Sequence, residues 1–376
     1  MEERRIKDVE KISWFGYQGL IFTLVKSIVI TIGSYIMYTN SQTDTHIASI
    51  IGFAISFIPV IIFLGISNNK YNMNIIDLNK KIFGNVFGNI LNVIINISFI
   101  FLGALLLYSI SQYIEIQYIP NTSALYVKIM LMLPVIYAAT KSIATICRIN
   151  EVIIFINLTS FILAFSGLIA EFDFSKLFPF LDNSLSSIIY SAVIFALSIS
   201  MPLFLMTIIP QDKVYKNKFS YKKIILFYTI SVCIVMFIII ATILIFGIDI
   251  INIYRYPIFM SLRKFSLFTI IERVEKLLAL QFIVDVIVYL ILTIYFVVNT
   301  IQKNIKINNK EGILSGVVGV AIILLATFGF KDTIEVNQIL LNKFVYVLGI
   351  GVFAPMIITF IGTIIDKNVR KNTNYK

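Results

Sequence analysis

The sequence predicts an all-α integral membrane protein, with ten transmembrane helices in a five-plus-five inverted repeat and helices 1 and 6 interrupted. Three observations carry this prediction. Hydrophobic residues make up 59% of the 376 positions and charged residues 14%, against roughly 45–50% and about 25% in soluble globular chains. An apolar excess of that size has no core to fill and must face lipid. Ten apolar runs come close to, or exceed, the length of about 20 residues that a helix needs to cross a bilayer. The polar stretch 171–185 divides five runs from five, and an odd number of crossings gives the two halves opposite topology.

In order, the runs cover about 12–38, 46–66, 86–112, 123–144, 151–170, 186–209, 224–247, 273–301, 313–330 and 340–364. Short polar connections join them, so residues 1–376 form one transmembrane domain, with a first repeat over about 12–170 and a second over about 186–364. The charged start Met1–Lys11 leads into an apolar run without a small-residue cleavage site, which reads as a retained first helix. Basic residues set the orientation. With the N-terminus inside, the inner segments hold 21 lysines and arginines and the outer ones 6, which places both termini in the cytoplasm. The net charge of +11 is then topology, reinforced by attraction to anionic headgroups at about 1 kcal/mol per basic residue, and calls for no nucleic-acid partner. The densest basic cluster, Lys213, Lys216, Lys218, Lys222 and Lys223, suits the inner leaflet or a cytoplasmic partner.

Composition also excludes chemistry. A single histidine, His46, cannot build a metal cluster or a His-centred triad. Cys147 and Cys233 form no CxxC pair and read as small buried hydrophobes, and no GxxxxGK[ST] loop is present. The expectation is a non-enzymatic protein without cofactor or metal.

Inverted-repeat transporters bind substrate where the first helix of each half is interrupted at the midplane. Run 1 carries Lys26 and Ser27 near its centre, then Thr31, Gly33 and Ser34. A lysine at that depth costs at least ~2.5–3.5 kcal/mol and must face a cavity or a partner. Run 6 carries Ser198, Ser200 and Pro202. Pro202 removes a helix hydrogen bond and the serines can re-satisfy freed groups or face a ligand; a plain proline kink explains the same residues. In run 8, Asp285, Tyr289 and Thr293 recur at i, i+4 and i+8 as a polar stripe. Asp285 is therefore expected to face run 1, pairing with Lys26 or holding a proton or cation beside it. Lys26, Ser27, Thr31, Ser198, Ser200, Pro202, Asp285 and Tyr289 form the candidate ligand site.

At the outer end, Tyr108, Gln112 and Glu115 share a face of run 3, and Glu272, Arg273, Glu275 and Lys276 stand at the entrance of run 8. These form a candidate vestibule or gate, with Glu272 and Lys276 also spaced for an intrahelical pair. Asn85, Asn89, Asn92 and Asn96 read mainly as interhelical glue, and Gly312, Gly316 and Gly319 as close helix packing. Asn72–Phe83 has the pattern of an interfacial amphipathic helix. Asp249–Thr269, the largest outer connection, suits either a lid or a plain loop.

These residues resemble a known family, the B subunits of bacterial spore germinant receptors, in the amino acid–polyamine–organocation superfamily. The most specific likeness is Tyr256-Pro257-Ile258-Phe259-Met260-Ser261-Leu262-Arg263 followed by Ile271-Glu272-Arg273-Val274-Glu275, similar to the family's (F/Y)P…R…ERxE pattern. Lys11-Ile12-Ser13, Phe178-Pro179-Phe180-Leu181, and Pro210 with Lys213 match more weakly. The resemblance implies a transporter-like subunit that helps sense a small nutrient, such as an amino acid. It implies A and C partner subunits in the spore inner membrane, and the same two interrupted helices. The chain departs from the family at Lys26-Ser27, where members tend to carry a glycine break, and around Ser198–Pro202, where a glycine and an acidic residue are missing. A fixed cation at the site favours a ligand with an anionic group.

Overall fold

In the computed structural model, residues 11–214, 220–261, 274–305 and 310–373 are described. The chain is all-helical there except for one parallel β-bridge, between Ile12 and Val214. Eight helical stretches among the described residues are long and apolar enough to cross a membrane, and the protein is an all-α integral membrane protein. The first of the eight, Trp14–Ser67, holds two of the runs read from the sequence, and the fourth run is the shorter apolar helix Ala124–Ala139.

The first run is α1 (Trp14–Ile28), a π-helical turn (Val29–Gly33) and α2 (Ser34–Ser41). Ser13 caps α1 by accepting from the Gly16 amide at 2.9 Å. A 3-10 turn, Gln42–Asp44, leads back into α3 (Thr45–Ser67). Then come α4 (Ile75–Tyr118), α5 (Ala124–Ala139), α6 (Ile143–Leu168) and α7 (Leu185–Ser200), the last continuing as a 3-10 helix over Met201–Ile208. The second half continues with α8 (Tyr221–Phe246), the short α9 (Ile248–Ile251) and α10 (Pro257–Ser261), and α11 (Val274–Ile305). It ends with α12 (Glu311–Phe328), α13 (Thr333–Asn342), α14 (Phe344–Tyr346), a π-helical segment (Val347–Phe353) and α15 (Ala354–Thr373).

The interruptions in helices 1 and 6 are milder than unwinding. The residues flanking the π turn keep right-handed helical angles, so run 1 is distorted but its path is continuous. Run 6 tightens to 3-10 geometry at Met201 with Pro202 in its first turn, where the missing amide is tolerated. The two distortions meet. A Cβ at Gly33 would lie 2.9 Å from Ser198 Oγ, so glycine lets the π turn sit on α7 without displacing that serine.

On one face of the bundle, the Ile12 amide donates to the Lys213 carbonyl at 2.7 Å and the Ser13 hydroxyl donates to Glu151. Lys303 pairs there with Asp77; this is termed the N-terminal face. On the opposite face, Asp44 accepts from the amides of Leu181 (2.6 Å) and Asn183 (2.9 Å) and from the Asn183 side chain (3.0 Å). That contact ties the first helical return to the 171–185 connection. Partial burial acts to raise the Asp44 pKa, but the donors from Asn183 and Leu181, with His46 nearby, outweigh it and hold the carboxyl below its ordinary value.

Three sequence expectations need correction. The amphipathic piece 72–83 turns its apolar stripe to protein, not to lipid: Ile75, Ile76 and Leu78 are buried. Gly84 (φ 78°) folds its helix back onto the start of the third run, where Asn92 bonds Asn79 at 2.8 Å and the Ile76 carbonyl at 3.1 Å. Of the three glycines near α12, only Gly319 is a close contact, against Ile136, whereas Gly312 and Gly316 face open space. Cys147 is buried as expected, but Cys233 is exposed on the outside of α8.

Candidate functional site

The π turn and the 3-10 helix bracket a buried ion pair. Lys26 Nζ lies 2.8 Å from Asp285 Oδ2, and the two side chains are 0% and 2% exposed. The contact is that of a buried ion pair. Phe22, one turn earlier on α1, places its ring centroid 4.4 Å from the ammonium, which adds cation–π attraction. The Lys26 ammonium is therefore met by Phe22 of its own helix and by Asp285 of α11.

A third helix joins this pair. Asn157 Nδ2 on α6 donates to Asp285 Oδ1 at 3.2 Å, so each carboxylate oxygen faces a different helix. Asn150, seven residues earlier and on the same side of α6, accepts from Thr23 at 3.1 Å. A polar seam between α1 and α6 thus runs from Ser13–Glu151 at the N-terminal face, through Thr23–Asn150, to Asp285 with Lys26. The sequence reading passed over Thr23, Asn150 and Asn157. Their signal is faint: Asn150 and Asn157 are seven apart on one side of a helix that also carries Arg148 and Glu151.

The hydroxyl groups of the candidate site divide into two sets. Ser27, Thr31 and Ser200 donate to carbonyls of their own helix turns, Leu24 (2.7 Å), Ser27 (2.8 Å) and Ala196 (2.6 Å). They re-satisfy backbone near the distortions. Ser198 Oγ, by contrast, is buried with no hydrogen-bond partner among the described residues, as is Gln281 Oε1, one turn before Asp285. The Tyr289 and Thr293 hydroxyls approach each other without hydrogen-bond geometry. These atoms lie on α7 and α11, the second of which also carries Asp285.

The residues read from the sequence as a vestibule form a separate cluster, at the opposite end of the bundle from the N-terminal face. Tyr108 is buried, its hydroxyl 3.2 Å from Thr333 Oγ1, and its ring lies between the Lys128 ammonium (5.3 Å) and the Arg255 guanidinium (5.8 Å). Lys128 donates to the Ala326 carbonyl at 2.8 Å. Gln112 is half-buried, and one carboxylate oxygen of Glu115 is buried without a hydrogen-bond partner among the described residues. Tyr256 ties the outer connection down, its hydroxyl donating to the Ser109 carbonyl at 2.9 Å. Glu272 and Arg273 lie outside the described residues, as do the side chains of Glu275 and Lys276.

Comparison with curated proteins finds no match to the chain. A family described as spore germination protein, the spore permeases, matches residues 17–334. That span includes both distorted helices, the Lys26–Asp285 pair and the aromatic outer cluster, and the chain belongs to the spore germination permease family.

Proposed function

We propose that the chain is the transporter-like membrane subunit of a spore germinant receptor and binds a small nutrient, such as an amino acid, at the Lys26–Asp285 site. The carrying observation is a fully buried, oppositely charged pair, Lys26 Nζ 2.8 Å from Asp285 Oδ2, joining the first run to the eighth. An amino acid carries the complementary pair of charges. Its carboxylate fits Lys26 and its ammonium fits Asp285, with Ser198 and Tyr289 available to further polar atoms. Charges already desolvated and held by Asn157 lose little more hydration when a zwitterion replaces one partner with another.

The reading extends to architecture. The π turn of run 1 and the 3-10 helix of run 6 occupy equivalent places in the two halves, which supports the five-plus-five inverted repeat. The lysine bias places both termini in the cytoplasm of the bacterial cell or spore, beneath the inner membrane, with A and C subunits as partners. Ligand would shift the balance between outward- and inward-facing forms by its difference in affinity for the two.

The test is uptake of labelled amino acids into proteoliposomes holding this chain alone, beside binding to the detergent-purified protein. Saturable binding lost in Lys26→Met and Asp285→Asn, without accumulation, is the expected result. Concentrative uptake under an imposed proton or sodium gradient would instead identify a working secondary transporter using the same site. Undiminished binding in the double variant would refute the site.

A further inference from the structure

A cavity of about 340 Å³ opens on the N-terminal face between the end of α3, the start of α8 and the middle of α15. Its walls differ in character. Gly65, Leu78, Phe360 and Ile364 form an apolar side, and Asn68, Asn72, Lys70 and Tyr221 a polar rim. Gly65 permits the close approach of the two membrane helices, because a Cβ there would overlap the Phe360 ring. Farther along the same helices, Ile58 and Ile61 of α3 and Ile361 and Ile365 of α15 are exposed. The apolar wall therefore continues into the lipid-facing surface.

Among the described residues, Lys70 is the one cation and Asp366 the one carboxylate lining the cavity. The two pair at 2.7 Å, and the Tyr71 hydroxyl donates to Asp366 at 2.5 Å. A second ammonium, Lys81, stands beside the lining, 3.5 Å from the centre of the Tyr71 ring. Lys222 and Lys223 follow Tyr221, both exposed. Basic pockets between membrane helices at the headgroup level are the usual form of anionic-lipid sites, and this volume falls within the range of small-molecule pockets.

We propose that this cavity binds the phosphate-bearing headgroup of an anionic phospholipid, with Lys70 and Lys81 facing the phosphate and the acyl chains lying along α3 and α15. The amide of Asn72 supplies a neutral donor beside the phosphate. Asp366 opposes the anion and tunes the site, since it holds Lys70 while the headgroup is away.

The experiment is native mass spectrometry of the full chain released from mixed micelles of phosphatidylglycerol and phosphatidylcholine. Phosphatidylglycerol should be retained preferentially. Lys81→Ala should weaken that preference about fivefold, the equivalent of about 1 kcal/mol for one basic group near an anionic surface. Asp366→Asn should strengthen it by a similar factor, because it removes the opposing charge. Opposite changes in two variants cannot both arise from misfolding. Equal retention of the two lipids, or variants that shift preference in the same direction or not at all, would overturn the proposal. Displacement of phosphatidylglycerol by millimolar inorganic phosphate would assign the site to a soluble anion and equally overturn it.

Discussion

Lys26 and Asp285 show how one buried pair can satisfy both lipid and chemistry. Removing one partner leaves an uncompensated charge in a low-dielectric interior, which costs about 3–5 kcal/mol in buried pairs. Lys26→Met and Asp285→Asn should each lower the thermal midpoint of the purified protein sharply. The double variant should recover most of it yet fail to restore nutrient response in a germination assay. Asn157→Leu, which takes away only the donor to Oδ1, should cost about 1–3 kcal/mol and leave the pair in place. Asp44 offers a residue-scale test through pH. Its folded pKa is depressed, so its contribution is fully present above the ordinary value of 3.8 and disappears as the pH falls through the lower folded value. Asp44→Ala should cost about 3 kcal/mol at neutral pH, from lost charged hydrogen bonds, and should flatten the acid limb of the stability curve. The lysine and the aspartate were legible because formal charge stands out in an apolar run. Asn157 was not, because an amide in a membrane helix has many routine uses and its partner lies 128 positions away.

Among elements, the close approach of run 1 to run 6 depends on a missing side chain. Gly33→Ala would put a methyl group 2.9 Å from Ser198 Oγ. Overpacking of this kind costs about 1–3 kcal/mol, and Ser198→Gly should rescue it, as a double-variant cycle in thermal stability would show. The sequence pointed to both distortions through Lys26-Ser27 and Pro202 but not to their form. Hydropathy reports where a helix is stressed, whereas the choice between π, 3-10 and unwound backbone is made by the neighbour packed against it. The same limit explains the 72–83 piece. Its amphipathic pattern was read correctly, but an apolar stripe does not reveal whether lipid or protein covers it. The decisive residue, Gly84, acts through its positive φ.

Across the whole molecule, apolar runs and short connections made the membrane class and the helix order legible from composition alone. Orientation rests on the lysine bias and has a direct check. In a chain with Cys147 and Cys233 replaced by serine, an impermeant maleimide should label Asp182→Cys on intact cells and Lys222→Cys only after permeabilisation. The outer aromatic cluster was partly legible at Tyr108, whereas its clamps, Arg255 and Lys128, come from segments remote in sequence and meet only in the fold. Finally, the short stitch from the Ile12 amide to the Lys213 carbonyl means that the lead-in to one half and the link after the first run of the other travel as a single piece. Neither half can swing away on that side without tearing an amide from its acceptor. Ile12→Pro, which has no amide proton to lose, would loosen that hem, and deuterium should then enter the first turns of α1 sooner than in the parent chain.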